Sequence, residues 1–359
     1  MPYGTIVADQ IQNTTGYTLG AGNASTLKNR IINGAMVIDQ RNAGASVTAT
    51  GNPYTVDRFW LLTSQSGKFT AQQNAGSVTP PVGFTKYLGL TSSSAYTVTS
   101  SDYFSLIQSI EGFNVADLGW GTASAKTVTL SFQVYSSLTG TFTGSLQNNG
   151  QARSYPFTYT IPVANTWTTI FVTIPGDTSG TWLTNNGVGI YVFWSIGVGS
   201  TFAGTAGSWA TGNYMGATGQ TSVVGTNGAT WYVTGAQLEP GSSATGFEYR
   251  QYQQELALCQ RYYQLIQGAW GGGQSSTTVA LSAQTFVVMR ANPSVGQTGV
   301  LTVTNGNTDY SESSTGLNTY ALNPTMIVIA LLNYSGITPG ATYFLRASNS
   351  NSLTLSAEL

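Results

Sequence analysis

Only one stretch of this chain carries a helical period, and it is short. From about Glu248 onward, Tyr252, Leu256, Cys259 and Tyr263 fall at i, i+4, i+7 and i+11, one face of an α-helix, with Glu255, Arg261 and the glutamines mostly elsewhere. On either side the apolar residues come in short runs separated by Gly, Ser, Asn or Pro, the spacing of packed β-strands and not of a helical bundle. The segment before it, Trp231 to Leu238, reads as a strand that Glu239-Pro240-Gly241-Ser242 brings to an end. Proline cannot donate to a ladder, and glycine tolerates positive φ. The chain is therefore expected to place one helix between two β-domains.

The alternation is clearest at Val128-Leu130-Phe132-Val134, interleaved with Thr127-Thr129-Ser131-Gln133, so one face of that strand is core and the other is wet. Gly140 to Gln147, Ser154 to Val163 and Thr166 to Ile174 follow at similar spacing. Gly189 to Gly197 is apolar on both faces, as a central strand is. Many short strands with turns every 8 to 12 residues imply antiparallel sheets packed as a sandwich. Beyond the helix, Gly271-Gly272-Gly273 reads as a hinge. Thr277 to Arg290, Val300 to Thr304, Met326 to Asn333, Ala341 to Ala347 and Ser352 to Leu355 then form a second, smaller β-domain. Neither face of Ala341 to Ala347 is purely polar, which points to burial against another copy of the chain.

The expected division is an arm over 1–28, a sandwich over 29–245, a linking helix and hinge over 246–270, and a C-terminal β-domain over 271–359. The arm holds few large apolar residues, so it cannot bury a core alone and is expected to order against another protein.

Charge decides what such a surface can bind. Only 7% of residues are charged, against roughly 25% in ordinary soluble proteins, and 12 basic and 13 acidic side chains leave a net charge of −1. Nucleic-acid binding needs a basic patch to displace counterions, and there is none. No run of 18 apolar residues or secretory leader is found, so no membrane insertion and synthesis in a cytoplasm are expected.

With no histidine and a single cysteine on the helix's apolar face, the usual nucleophile–base pairs and zinc sites have no members. Carboxylates remain, and a glycosidase needs two facing one bond. Those present are isolated in sequence. Asp57 and Arg58 fall on opposite faces if the segment is extended, with Asp57 in a structural pairing. Asp177, in Gly176-Asp177-Thr178-Ser179-Gly180, reads as a turn-former, calcium being the minor alternative. Glu248 reads as a partner of Arg250 or Arg58. No catalytic residue, metal site or cofactor is expected. Trp209, Tyr214 and Trp270 lie in Gly/Ser/Thr surroundings where no core pattern claims them; a flat ring beside amides and hydroxyls suits a neutral sugar, whereas closing the sandwich or a subunit contact is the plainer role. If none of the three binds, the loop from Thr304 to Leu317 is the next surface to consider.

The run LEPGSSATGFEYR followed by YQQELALCQRYYQ resembles the junction of bacteriophage tail-fibre and related virion appendage proteins, where it joins a jelly-roll module to a C-terminal β-domain. NRIINGAM (29–36) with YTVDRFW (54–60), IPGDTSGTW (174–182) and the final SAEL (356–359) fit the same pattern. The resemblance implies an all-β fold with a jelly roll like that of carbohydrate-binding modules. It also implies a non-enzymatic homotrimeric tail fibre of the virion, made in the bacterial cytoplasm. Its arm would dock on another virion protein (baseplate, tail tube, portal adaptor or capsid), and its body would attach to a host surface glycan. A capsid or head fibre, or a glycan-depolymerising tailspike, are the alternatives; such a spike usually carries a long β-helix, for which this chain has no room.

Overall fold

The structure, a computed structural model, describes residues 27–346 and 352–359. The expected arm therefore lies almost wholly outside the described residues. The chain divides into two compact units, the first ending at Gln251 and the second running from Tyr252 to Leu359.

The first unit contains β1 (Val47–Thr48), β2 (Phe59–Thr63), β3 (Phe69–Gln73), β4 (Leu88–Ser92), β5 (Tyr103–Glu111), β6 (Val128–Ser136) and β7 (Gly140–Gln147). It continues with β8 (Arg153–Ile161), β9 (Thr168–Ile174), β10 (Val188–Val198), β11 (Ala203–Gly204), β12 (Ala210–Thr211), β13 (Gly216–Ala217) and β14 (Thr230–Pro240). Two six-stranded sheets, ordered β1-β3-β4-β14-β6-β9 and β12-β8-β7-β10-β5-β2, face each other as a jelly-roll sandwich. Val128, Leu130, Phe132 and Val134 point into the core between them, with Trp194, Trp231 and Phe142. β10 pairs with both β5 and β7, the central place its two apolar faces require. Ile190, Val192, Trp194 and Ile196 face the core, whereas Tyr191 and Phe193 face outward. There Met215, from the excursion between β10 and β14, packs with Phe193 and Ile107.

The segments at both ends of this unit are tied together by buried polar groups. The Glu248 carboxylate accepts from the backbone N–H of Leu27 (3.0 Å) and Asn29 (2.9 Å) and from Arg250 Nε (3.1 Å). Arg250 Nη1 donates to the Ile31 carbonyl at 3.2 Å, and the Asn29 side chain bonds the backbone of Ala236, Ile31 and Leu238. Burial works against the charge of Glu248, but these donors outweigh it and hold its carboxyl below the usual range. The alternation argument fails at Asp57 and Arg58. Arg58 has φ 73°, so the two are not an extended pair, and both are buried. Asp57 accepts from Gln40, while Arg58 Nη2 donates to the Ser109 carbonyl at 2.6 Å.

The second unit opens with α1 (Tyr252–Gln260) and continues through β15 (Tyr263–Ile266), β16 (Trp270–Ser275), β17 (Thr278–Gln284), β18 (Ser294–Gln297) and β19 (Thr302–Thr304). Then come β20 (Asp309–Ser311), β21 (Leu317–Leu322), β22 (Met326–Leu331), β23 (Thr342–Arg346) and β24 (Leu353–Ser356). A three-stranded sheet β15-β24-β18 packs on a seven-stranded sheet β20-β19-β23-β16-β17-β22-β21. The helix starts later than its period suggested, and its buried residues are Glu255 and Cys259, whereas Tyr252 is 59% exposed. Arg290 pins the chain end by donating to the carbonyls of Ala357 (2.8 Å) and Glu358 (2.9 Å).

The Gly271-Gly272-Gly273 hinge is not a hinge. These glycines form the middle of β16, paired with β17 on one side and β23 on the other. A Cβ on Gly271 would come within 1.8 Å of the Ala280 carbonyl oxygen, so glycine is there for close backbone approach. Gly271→Ala should therefore lower the stability of the second unit by about 2 kcal/mol, measured by denaturant unfolding of the full chain. An unchanged midpoint would mean that the strand can shift away at no cost.

Candidate functional site

The β7–β8 hairpin is built to hold one shape. Asn148 is buried, its Oδ1 accepts from the N–H of Ala152 (3.0 Å) and Arg153 (3.1 Å), and its Nδ2 donates to the Thr181 carbonyl (3.0 Å). An asparagine bonding its own turn is a common way to fix a loop. Here it also fastens the hairpin to a second loop, residues 175–187. The two are joined more strongly below, where Arg153 Nε and Nη2 donate to Asp177 Oδ2 and Oδ1, both at 2.7 Å. Hydrogen bonds to Asp177 hold the Arg153 guanidinium more firmly protonated, against the opposing effect of burial. Gly180, at φ 79°, lets the arginine stem lie against the loop, for a Cβ there would meet Arg153 Cγ at 2.5 Å.

Between these loops lies an open cleft of about 440 Å³, lined by Asn148, Asn149, Gly150, Ala152, Arg153, Gly180, Thr181, Leu183 and Thr211. Its wall carries amides, hydroxyls and one guanidinium, and no carboxylate is among the lining residues. Asp177 spends both oxygens on Arg153, and Oδ1 also accepts from the N–H of Ser179 at 3.1 Å. The carboxylate is thus charge-paired within the protein. Among the described residues no group of three His, Cys, Asp or Glu side chains could hold a metal ion.

Aromatic rings back this end of the sandwich. Trp120, Trp182 and Trp209 meet edge to face, with centroids 4.7 Å (120–182), 5.3 Å (120–209) and 5.4 Å (182–209) apart, and Tyr155 lies 5.2 Å from Trp209. Each indole N–H is committed to a carbonyl: Trp120 to Lys126, Trp182 to Ser179 and Trp209 to Pro175. Trp209 is thus half-buried packing against the core, two residues from Thr211 on the cleft wall. Tyr214 is also half-buried: its carbonyl accepts from Gln147 Nε2 (2.8 Å), and its ring lies against Gly204 and Gly212. Trp270 alone of the three is exposed, on β16 of the second unit.

Trp209 and Tyr214 thus belong to the first unit, each half-buried, and Trp270 to the second, where it is exposed. The cleft residues Asn149, Arg153, Thr181 and Thr211 were missed. Two signals pointed to them, the Asn148-Asn149-Gly150 turn and the 174–182 segment that carries both Asp177 and Trp182. The alternative surface, Thr304 to Leu317, contains β20 paired with β19 as a hairpin.

No family model matches the sequence, and no curated protein matches it. Solved structures overlap the chain in part. The enzymatically active domain of tailspike protein 4 of bacteriophage CBA120 is 11% identical with a TM-score of 0.30; the match covers 60% of this chain and 22% of that one. A family 4 carbohydrate-binding module is 15% identical (TM-score 0.29; 58% and 98% covered). The family 11 carbohydrate-binding module of a Clostridium thermocellum cellulosomal cellulase is also 15% identical (TM-score 0.27; 56% and 96% covered).

Proposed function

We propose that this chain is a non-catalytic virion component of a bacteriophage. In this reading it is a homotrimeric tail fibre whose first unit holds a neutral host-surface glycan in the cleft beside the β7–β8 hairpin. The observation that carries the glycan reading is the chemistry of that cleft. Its one cation is matched by Asp177, and the rest of the wall sets the amides of Asn148 and Asn149 and the hydroxyls of Thr181 and Thr211 beside the apolar surface of Leu183, Ala152 and two glycines. A neutral sugar needs that combination, and an anionic polymer would not be steered to it. The virion assignment rests on the junction motif and its companion segments, and the arm would make the attachment to the particle. A capsid fibre would use the same surfaces and differ only in where the arm docks. A depolymerase would need an acid and a second carboxylate facing one glycosidic bond, roughly 5 to 9.5 Å apart, and the cleft lining supplies neither.

Asn149 is exposed at the hairpin tip, so its loss removes a ligand contact without disturbing the core. Asn149→Ala and Thr211→Ala should each weaken adsorption to host cells or glycan about tenfold, the loss of roughly one oriented hydrogen bond, at unchanged melting temperature. Adsorption should vary little between low and high salt. Single sites of this kind are weak, and repeated copies on one particle would raise the avidity. Normal adsorption by both variants, or adsorption abolished by salt, would move the recognition surface elsewhere.

A further inference from the structure

Five asparagine–glycine pairs occur in the chain, at 33–34, 149–150, 186–187, 227–228 and 305–306. In such a pair the glycine's backbone nitrogen, which no neighbouring Cβ shields, can attack the asparagine's side-chain carbonyl carbon. Asparagine is thermally labile for this reason. The attack needs a free N–H and an asparagine side chain able to turn, and the fold withholds one or the other at four of the five pairs. Asn33 is fully buried, and its amide is bonded to Ile38 and Asp57. The N–H groups of Gly187, Gly228 and Gly306 donate to Asn185 Oδ1 (2.8 Å), the Ser92 carbonyl (3.0 Å) and Thr304 Oγ1 (3.2 Å). At the tip of the β7–β8 hairpin neither restraint applies. Asn149 and Gly150 are both exposed, and neither the Asn149 side chain nor the Gly150 N–H is hydrogen-bonded to another described residue. The turn is closed on either side of them, where the Gln151 N–H donates to the Asn148 carbonyl at 3.0 Å.

We propose that Asn149–Gly150 is a site of spontaneous deamidation, with water as the only co-reactant, and that its conversion removes a glycan-binding amide from the cleft; the second part rests on the glycan reading above. The Gly150 nitrogen gives up its proton and bonds to Asn149 Cγ. The Cγ–Nδ2 bond breaks, and Nδ2 leaves with that proton as ammonia. Water then opens the five-membered imide. Cleavage of the N–Cγ bond gives aspartate, whereas cleavage of the bond to the backbone carbonyl gives isoaspartate, with the chain rerouted through Cβ and Cγ. Nothing is oxidised or reduced. Either product puts a carboxylate, which only accepts hydrogen bonds, where the amide offered two N–H donors. It adds a negative charge to a wall whose lining residues include no carboxylate. Arg153 does not offset that charge, because Nε and Nη2 are already held by Asp177. A sugar oxygen that accepted from the Asn149 amide is left without its donor, so the cleft loses affinity with age. The base of the hairpin, fastened by Asn148, keeps its shape.

The test is peptide mapping by mass spectrometry of the full chain, incubated in mildly alkaline buffer where the attacking nitrogen ionises more readily. Adsorption to whole host cells is followed in the same samples. Conversion at Asn149 should outpace each of the other four pairs about fivefold or more, because there a hydrogen bond must break first. Gly150→Ala should slow it, since a Cβ hinders the attacking nitrogen. The turn accommodates that change: nothing lies within 4 Å of the added Cβ, and Gly150 is not at positive φ. Adsorption should fall about tenfold once the wild type is converted, and Asn149→Asp should show the same loss from the start. Gly150→Ala should hold its own starting value through the incubation. Equal rates at all five pairs, or an intact Asn149 after another pair has converted, would overturn the site. Conversion at Asn149 with undiminished adsorption would leave the site standing and overturn the cleft as the recognition surface.

Discussion

Asp177→Ala should destabilise the first unit by about 3–5 kcal/mol, because it leaves the largely buried Arg153 guanidinium without its counter-ion. The carboxylate is 2% exposed and the arginine 17%, and the two hydrogen bonds between them are both 2.7 Å. Replacing the pair by apolar residues would be far less costly than removing one partner, so Asp177→Leu with Arg153→Met is the informative control. Glycan adsorption should be lost in both proteins while stability is recovered only in the double variant. The ion pair would then be shown to shape the cleft and not merely to hold the fold. If Asp177→Ala melts like the wild type, water reaches the guanidinium and the cleft floor is looser than the geometry implies.

How much of this was legible depends on how far apart the interacting residues lie in sequence. The alternation at Val128 to Val134 is local, and it placed those side chains in the core correctly. β10 was legible as a central strand for the same reason: Trp194 and Phe193 demand burial on both sides. Glycine gives no such signal. Gly271 to Gly273 has no side chains to alternate, so a strand selected for close backbone approach looked like a hinge. The helix misled differently, since a buried Glu255 and an exposed Tyr252 invert what polarity alone assigns. The candidate site was the least legible part. Trp120, Trp182 and Trp209 come from three separate loops, and each looks unclaimed until the fold brings the others to it. Arg153 opens β8 and Asp177 lies in the 175–187 loop, and only the sandwich makes them partners. By contrast, the segments that carried the family resemblance include the polar hub of Asn29, Glu248 and Arg250. Each of these residues makes several side-chain hydrogen bonds that its replacement would leave unmade.

At the far end of β10 from the β7–β8 hairpin, a single carboxylate should set the acid limit of the first unit. Asp102 is 3% exposed and accepts from the Thr99 N–H (2.8 Å), Thr99 Oγ1 (2.7 Å), Ser64 Oγ (2.8 Å) and the Tyr96 hydroxyl (3.0 Å). Burial alone would push its carboxyl up, yet these donors prevail and hold it at about 2, below the ordinary 3.8. A carboxyl depressed in the folded state contributes stability that is present above pH 4 and is lost as pH falls towards 2. Asp102→Asn, which keeps the shape but not the charge, should cost about 3 kcal/mol at neutral pH. The gap between the two proteins should close between pH 4 and 2, as the wild-type carboxyl takes up its proton. Glu248 is held low as well and weakens over acid pH in both proteins alike, so it cancels from the difference. Thr99 and Ser100 also line a second, hydroxyl-rich cleft of about 380 Å³ with Ser200, Gln220 and Ser222. Loosening Asp102 should open that cleft to hydrogen exchange well before the β7–β8 hairpin responds. A stability difference that stays constant from pH 7 to pH 2 would show that the four donors do not favour the charged carboxylate, and that Asp102 acts there only as a well-packed polar group.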